Sequence, residues 1–288
     1  MIRIGPAGWS YDDWEGVVYP LGKGKNFDPL AYLAELFETI EINNTFYRPA
    51  NLKMSSAWVK RIQANPDFKF TAKLYRLFTH EREKRTPADA DAFKKGLDPL
   101  IENGRLGALL LQFPYSFHFN SENLDYLNWL IQIFRDYPLV FEARHASWDR
   151  AVVYQFLREQ KVGFCNIDQP QVSYSLGPTK KVTSEIGYLR LHGRNVKDWF
   201  REGAGRDARY DYLYNEFEIF EIGERIRQIA AGAKETYVIT NNHYRGKAVC
   251  NALELKKKLG CKLPKIPDIL LEHYPQLRKE EEPLEGSE

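Results

Sequence analysis

The chain lacks the features that mark membrane, secreted or strongly nucleic-acid-binding proteins. No apolar run approaches the roughly 20 residues needed to cross a bilayer. Its three cysteines, Cys165, Cys250 and Cys261, form neither a paired framework nor a zinc-binding spacing, and an odd number suits a reducing compartment. The net charge is only +2, which argues against a large nucleic-acid surface. With a strand predicted from residue 2, we expect no signal peptide, a cytoplasmic location and no membrane partner.

What the chain does have is a globular composition and a repeated pattern of short apolar runs. Its 288 residues are 43% hydrophobic and 14% aromatic, which suits one large α/β domain. Eight apolar runs each end next to a charged, amide, imidazole or indole side chain, which is costly in a buried strand unless that group serves a site. These predicted strands are Ile2–Gly5, Glu38–Asn43, Phe68–Lys73, Leu109–Gln112, Leu139–Arg144, Val162–Asp168, Tyr188–His192 and Tyr237–His243.

Amphipathic helices fill most of the gaps between these strands. They are predicted from Asp28-Pro29 to Phe37, over Lys53–Asn65, from Thr86-Pro87 to Asn103-Gly104, from an N-cap at Ser121, and over Asp149–Gln160, Asn215–Ala231 and Lys247–Leu259. Strands that alternate with helices indicate a parallel sheet, and eight of them predict an α/β fold of the (β/α)8 TIM-barrel type. A doubly wound open sheet is the alternative, but no glycine-rich phosphate loop follows the first strand.

Two segments depart from the repeat. Gln169–Glu185 contains two prolines and a glycine without helical periodicity, which predicts a long loop in place of a helix between strands six and seven. We therefore predict a single barrel domain over residues 1–261. Residues 262–288 are predicted to be a partly disordered C-terminal extension, with Lys279–Glu288 as a mobile tail.

In a TIM barrel the side chains at the carboxyl ends of the strands share one site. The predicted catalytic residues are Lys73, Glu142, Asp168 and His192. The predicted substrate-binding residues are Trp9, Trp14, Glu41, Asn43, Tyr47, Arg48, His80, Gln112, Arg144, His145, Trp148, Arg190, Arg194, Asn241, Asn242 and His243.

Guanidinium groups among carboxylates predict an enzyme acting on a small anionic ligand, phosphorylated or sugar-like, with Glu142, Asp168 and His192 in proton transfer. This hypothesis expects a confined pocket and a carboxylate with a raised pKa. Lys73 could be a Schiff-base nucleophile, although an ion-pair or phosphate-binding role carries more weight. His192 is equally compatible with acid–base catalysis and with an orienting hydrogen bond. The charged set could also be a structural ion network.

Two other functions remain open. The first is a metal-dependent isomerase- or endonuclease-like barrel, in which Glu41, Glu142, Asp168 and His192 hold a divalent ion; we predict no cofactor, and nearby cations oppose such a site. The second is nucleotide or nucleic-acid binding without catalysis, which the near-neutral charge does not favour. Its stacking and phosphate contacts would come from Trp9, Trp14, Tyr47, Arg48, Tyr210 and Tyr212. The sequence does not indicate the oligomeric state.

The motifs at the strand ends also resemble those of a known family. They are Gly8-Trp9-Ser10-Tyr11, Glu41-Ile42-Asn43-Asn44-Thr45-Phe46-Tyr47-Arg48, Phe70-Thr71-Ala72-Lys73, Leu111-Gln112-Phe113-Pro114, Glu142-Ala143-Arg144-His145-Ala146-Ser147-Trp148, Asp168-Gln169-Pro170, Leu189-Arg190-Leu191-His192-Gly193-Arg194 and Asn241-Asn242-His243. Together they resemble the YecE-like family, domain of unknown function 72, over roughly residues 1–260. The resemblance implies a TIM-type barrel and no established reaction.

Overall fold

The computed structural model describes residues 1–278 except 23, 25, 200, 202 and 204. Eight parallel strands form one sheet with the order β1-β8-β7-β6-β5-β4-β3-β2, so sequential neighbours pair throughout. All eight predicted strands are confirmed. They are β1 (Ile2–Pro6), β2 (Thr39–Ile42), β3 (Lys69–Lys73), β4 (Leu106–Gln112), β5 (Leu139–Glu142), β6 (Gly163–Asp168), β7 (Ile186–Leu191) and β8 (Glu235–Thr240).

The sheet closes into a barrel at the seam between β1 and β2. A parallel bridge joins Ala7 to Glu41, and the amide of Gly8 donates to the carbonyl of Glu41 at 2.9 Å. Lower in the seam the two backbones lie very close, because a Cβ atom on Gly5 would stand 1.8 Å from the carbonyl oxygen of Thr39. Only glycine permits this approach, so Gly5 is needed where the barrel closes.

All seven predicted helices are present, and their ends agree with the prediction to within a few residues. The helices of the structure are α1 (Pro29–Leu36), α2 (Asn44–Tyr47), α3 (Leu52–Arg61), α4 (Pro87–Glu102), α5 (Ser121–Ile133), α6 (Ala151–Glu159), α7 (Val196–Trp199), α8 (Arg206–Arg209), α9 (Glu216–Ala231), α10 (Lys247–Lys258) and α11 (Asp268–His273). The sequence did not predict α2, α7, α8 or α11.

 The fourth of the predicted helices needs one correction. Its N-cap is Asn120 and not Ser121, because the Asn120 side chain accepts the amide of Asn123 at 2.7 Å.

The two irregular segments are also informative. Residues 169–185 contain no helix, which confirms the predicted loop between β6 and β7. Beyond residue 261 the chain continues into α11, where Leu270 is buried against the barrel. Tyr274 and Leu277, which follow α11, are buried as well. The predicted mobile tail, residues 279–288, lies outside the described residues. In the part of the chain that is described, no helix is long and apolar enough to cross a membrane.

Pairing register decides which side chains point into the barrel. Parallel strands place paired residues on the same face of the sheet. Cys165 pairs with Tyr188 and Ile167 pairs with Arg190, so these four residues face the barrel interior together. Asp168 pairs with Leu191 and has the opposite orientation, toward the surrounding helices. Positions of β6 that differ by one residue therefore belong to two different layers of the protein.

Candidate functional site

The centre of the barrel mouth is a buried arginine held between two carboxylates. Arg190, on β7, donates to Glu41 Oε1 and to Glu142 Oε2, both at 2.7 Å. All three side chains are essentially inaccessible to solvent. Tyr188 completes the pairing of Glu41 by donating to its second oxygen at 3.0 Å. Two buried carboxylates would be costly without this partner, so Arg190 ties β2, β5 and β7 together.

Glu142 is the residue around which the unsatisfied polar atoms gather. Its Oε1 atom lies 2.7 Å from Arg144 Nε and 3.6 Å from His192 Nε2. Neither contact has the geometry of a hydrogen bond, so all three buried atoms remain without a hydrogen-bond partner among the described residues. Burial alone would raise the pKa of Glu142, but the charges of Arg190 and Arg144 outweigh it and hold the pKa well below its usual range.

His192 is a neutral hydrogen-bond donor that points at this carboxylate. The Asn241 amide nitrogen donates to Nδ1 at 3.0 Å, which leaves the ring proton on Nε2, the atom that faces Glu142. Burial, together with the charge of Arg144, lowers the pKa of His192 to about 3. The imidazole therefore stays neutral at pH 7 and can polarise a ligand atom through its N–H group.

Lys73 ends β3 at the same mouth and, unlike Arg144 and Arg190, forms no ion pair with any residue that the structure describes. Within the described part of the chain its ammonium makes neither an ion pair nor a hydrogen bond, and it lies 4.3 Å from the centre of the Phe46 ring. Desolvation, reinforced by the charge of Arg190, lowers the pKa of Lys73 to about 7, although Glu41 opposes the change. Lys73 is therefore the group in the mouth whose pKa lies near neutrality.

Asp168 does not join this set, although the sequence suggested it as a catalytic carboxylate. Its outward orientation brings it to Arg194, which donates two hydrogen bonds of 2.9 Å, and to Arg225 on α9 at 3.1 Å. Tyr214 donates a further bond at 2.9 Å. Burial would raise the pKa of Asp168, but these partners outweigh it and lower the pKa. Asp168 therefore links β6 to the outer layer through its ion pairs with Arg194 and Arg225.

The expectation of a carboxylate with a raised pKa is wrong for both predicted acids. Arginines hold the pKa values of Glu142 and Asp168 below their usual range. A carboxylate that stays ionised is a poor general acid near neutral pH. The group with a pKa suited to proton exchange at pH 7 is Lys73, which the sequence favoured as an ion-pair partner instead.

The other predicted side chains fall into two groups. Those near the mouth are half-buried or exposed, and they include Asn43, Tyr47, Arg48, His80 and His145. The second group is occupied by structural contacts. It comprises Gln112, which donates to the Phe113 carbonyl, Asn242, which donates to Tyr212 and Asn251, and His243, which stacks on Tyr11 at 4.6 Å.

The three tryptophans expected to line the mouth are instead packing residues. Trp14 and Trp148 are fully buried, and their indoles donate to the carbonyls of His243 and Phe117. Trp9 is half-buried with its ring 5.9 Å from that of Trp58. This packing removes Trp14 from the stacking surface that nucleic-acid binding would use.

Two aromatic side chains that follow β7 cover the mouth. The sequence named Tyr210 only as a stacking residue for nucleic acid, and it missed Trp199. Trp199, at the end of α7, lies 5.8 Å from the Arg144 guanidinium and 6.2 Å from the His192 ring. Tyr210 lies 6.3 Å from His192 and 5.2 Å from His243. Both residues follow β7 in a region without a strand, so only their chain position after His192 could have indicated this contact.

The proposed metal set is not assembled as a group. Arg190 separates Glu41 from Glu142, and Asp168 faces the outer layer. Among the residues that the structure describes, no three His, Cys, Asp or Glu side chains are placed to hold a metal ion. Two surface grooves, one beside Arg82 and Trp129 and the other beside Leu36 and Lys256, contain none of the predicted site residues.

Comparison with known sequences places the chain in a family. The profile described as "Protein of unknown function DUF72" matches residues 3–275. The chain belongs to the DUF72 family. This DUF72 protein is 29% identical over 273 residues to the UPF0759 protein YunF of Bacillus subtilis, covering 90% of this chain and 95% of that one. The result agrees with the YecE-like resemblance seen in the sequence.

Solved structures of DUF72 proteins have the same fold. One from Thermotoga maritima shares 36% identity with a TM-score of 0.76, covering 90% of this chain and 99% of that chain. Another, from Enterococcus faecalis, shares 28% identity with a TM-score of 0.81, covering 93% of this chain and 98% of that chain. Both are described only as members of the family, so the relatives support the barrel and name no reaction.

Proposed function

We propose that this DUF72 protein is an enzyme acting on a small anionic ligand, phosphorylated or sugar-like, at the carboxyl end of the barrel. The observation that carries the proposal is a set of buried polar atoms on Glu142, Arg144, Arg190 and His192 that have no hydrogen-bond partner in the described part of the chain. Buried polar atoms are nearly always satisfied in proteins, and exceptions call for a bound molecule or a functional role. A polar ligand group beside Glu142 Oε1 would supply the missing partners.

The charge balance of the mouth favours an anion. Arg190 neutralises one of the two carboxylates that it bridges, and Arg144 balances the other through its ion pair with Glu142. Lys73 then adds a positive charge whenever it is protonated. A single anionic group can therefore enter without leaving a buried charge unpaired.

Each group has a role that follows from its geometry. The Arg144 side chain is 13% exposed, so part of it remains accessible to an anionic group. His192 offers its Nε2 proton to a polar atom of the ligand, and Lys73 can exchange a proton near pH 7. Glu142 remains ionised and orients Arg144 and Arg190.

The binding part of the proposal is tested with inorganic phosphate and sulfate by isothermal titration at low salt. We expect saturable binding that Arg144→Gln weakens about tenfold or more, since a charge-assisted contact contributes about 1.5–3 kcal/mol. Arg135→Gln is the matched control, because Arg135 is an exposed arginine that pairs with Asp136 at 3.9 Å. Equal binding by all three proteins, or none by the wild type, would contradict the anion site.

The catalytic part needs a separate measurement. The protein is incubated with a small-molecule extract, and mass spectrometry follows which compounds are consumed. We expect wild type and Lys69→Arg to deplete the same anionic compound, and Lys73→Met to leave it unchanged. Lys69 lies at the other end of β3 and pairs with Glu235 of β8. Its substitution therefore controls for the loss of a lysine from the same strand. Depletion that is identical with Lys73→Met would refute the role given to Lys73.

A further inference from the structure

We infer that Lys73 is an imine-forming nucleophile, and that the ligands of the mouth are small anionic aldehydes or ketones. This inference rests on the proposed function, because it assigns a substrate class to the same site. It begins from the contrast between Lys73 and the other cations there. Arg190 and Arg144 are committed to carboxylates, whereas the Lys73 amine has no charged or hydrogen-bonded partner among the described residues.

The backbone of Lys73 is fixed, so its amine is presented from a rigid element. The Thr45 hydroxyl donates to the Lys73 carbonyl at 2.7 Å, and the following amide, of Leu74, donates to Leu110 at 3.0 Å. Phe46 forms an apolar wall beside the ammonium. Groups placed on rigid strands reach reactive geometry with little loss of conformational freedom.

The protonation state distinguishes a nucleophile from an electrostatic anchor. A lysine that only holds an anion works best when permanently charged, yet burial and Arg190 lower the pKa of Lys73 to about 7. A large fraction of the amine is then free at neutral pH, as attack on a carbonyl requires. The nearby carboxylates of Glu41 and Glu142 would stabilise the positive charge when the imine is protonated.

The step balances without any other reactant. The amine nitrogen adds to the carbonyl carbon, the carbonyl π electrons move to oxygen, and one proton passes from nitrogen to that oxygen. The carbon–oxygen bond of this carbinolamine then breaks while the nitrogen lone pair forms the C=N bond. The oxygen leaves as water with the second amine proton. No oxidant, reductant or metal takes part, and Arg144 would hold the anionic end of the substrate throughout.

Reductive trapping tests this assignment. The full chain is treated with sodium cyanoborohydride and either glyoxylate or pyridoxal 5′-phosphate, and labelled lysines are located by peptide mass spectrometry. We expect Lys73 to be labelled about tenfold or more faster at pH 7 than ordinary surface lysines, whose pKa lies near 10.4. Its rate should rise through pH 7 and level off above, while surface lysines continue to accelerate toward pH 10. Lys73→Arg should remove this label, and Lys69→Arg should leave it unchanged.

The outcomes separate the two proposals. Rapid labelling of Lys73 that inorganic phosphate slows would support both. Phosphate binding that depends on Arg144, with Lys73 labelled no faster than surface lysines, would overturn the imine while the anion site stands. Rapid labelling of Lys73 that phosphate does not slow, together with no phosphate binding, would support the reactive amine and overturn the anionic substrate class.

Discussion

Replacing Arg190 by methionine should destabilise the protein strongly, because it removes the shared partner of two buried carboxylates. Glu41 and Glu142 are fully buried, and each lies 2.7 Å from the guanidinium. Breaking a buried pair by removing one partner typically costs about 3–5 kcal/mol. Two carboxylates are affected, but Tyr188 still donates to Glu41 and Arg144 still faces Glu142. We therefore expect a loss of about 3–5 kcal/mol, and not twice that amount.

Urea unfolding at pH 7, followed by circular dichroism, measures this loss. Arg227→Met is the control, because Arg227 forms an exposed ion pair with Glu224 and should cost about 1 kcal/mol or less. Combining Arg190→Met with Glu41→Gln and Glu142→Gln should recover part of the stability, since neither carboxylate is then left unpaired. The recovery should be incomplete, because Arg144 loses its ion pair with Glu142.

The pH dependence provides a second check on the same reasoning. In the wild type the pKa of Glu142 is lowered, so its contribution is present above its unfolded-state pKa of about 4.3 and is lost as pH falls below. In the variant the stranded carboxylates should have raised pKa values and gain protons as pH falls. The stability difference between wild type and variant should therefore narrow toward pH 4. A difference below about 1 kcal/mol at pH 7 would refute the bridging role of Arg190.

Three further predictions concern the scaffold. Gly5→Ala should lower the unfolding free energy by about 1–3 kcal/mol or more, because its Cβ would meet the Thr39 carbonyl at 1.8 Å; unchanged urea unfolding would contradict this view of the seam. Asp168→Asn should cost about 3 kcal/mol by stranding the Arg225 charge, while phosphate binding survives; lost binding in a folded variant would place Asp168 in the site after all. Burial would raise the pKa of Glu235, but Lys69 outweighs it and lowers the pKa to about 2, so its stabilisation is present above about pH 4.3 and disappears as pH falls toward 2. Glu235→Gln should make the unfolding free energy depend less on pH in that range. An unchanged pH dependence would contradict the stabilisation assigned to Glu235.

The fold could be predicted because short-range patterns in the sequence mark the strands and most of the helices. Each strand is a short apolar run, and most predicted helices have an apolar period that matches the buried face. In α9, Phe217 and Phe220 depart from this pattern and are exposed. Asp28 caps α1 with its side chain, as its position before Pro29 suggested. Asn215 caps α9 in a capping box, although the prediction counted it as the first helical residue. Local hydrogen bonding decides such ends, so the sequence located them to within a residue or two, as the shift of the α5 cap from Ser121 to Asn120 shows.

Alternation along the strands also predicted most of the mouth. Glu41, Lys73, Glu142, Arg190 and His192 share the inward face because a strand turns successive side chains to opposite sides. The same reasoning failed for Asp168, which came last in its apolar run but one position away from the inward face. The chain does not mark which face a terminal polar residue takes, since both the barrel interior and the outer layer can satisfy a carboxylate.

The sequence by itself determined an eight-stranded α/β barrel and the strand ends at which polar groups collect, because periodicity and capping act over a few residues. Only the tertiary structure decided which of those charged groups form ion pairs with one another. Arg190 pairs with both buried carboxylates, Arg194 and Arg225 pair with Asp168, and Lys73 has no ion-pair partner among the described residues. The pKa of Lys73 lies near neutrality because of burial and because of charges on other strands. Those effects depend on distances in the folded barrel, which the spacing of residues along the chain does not give.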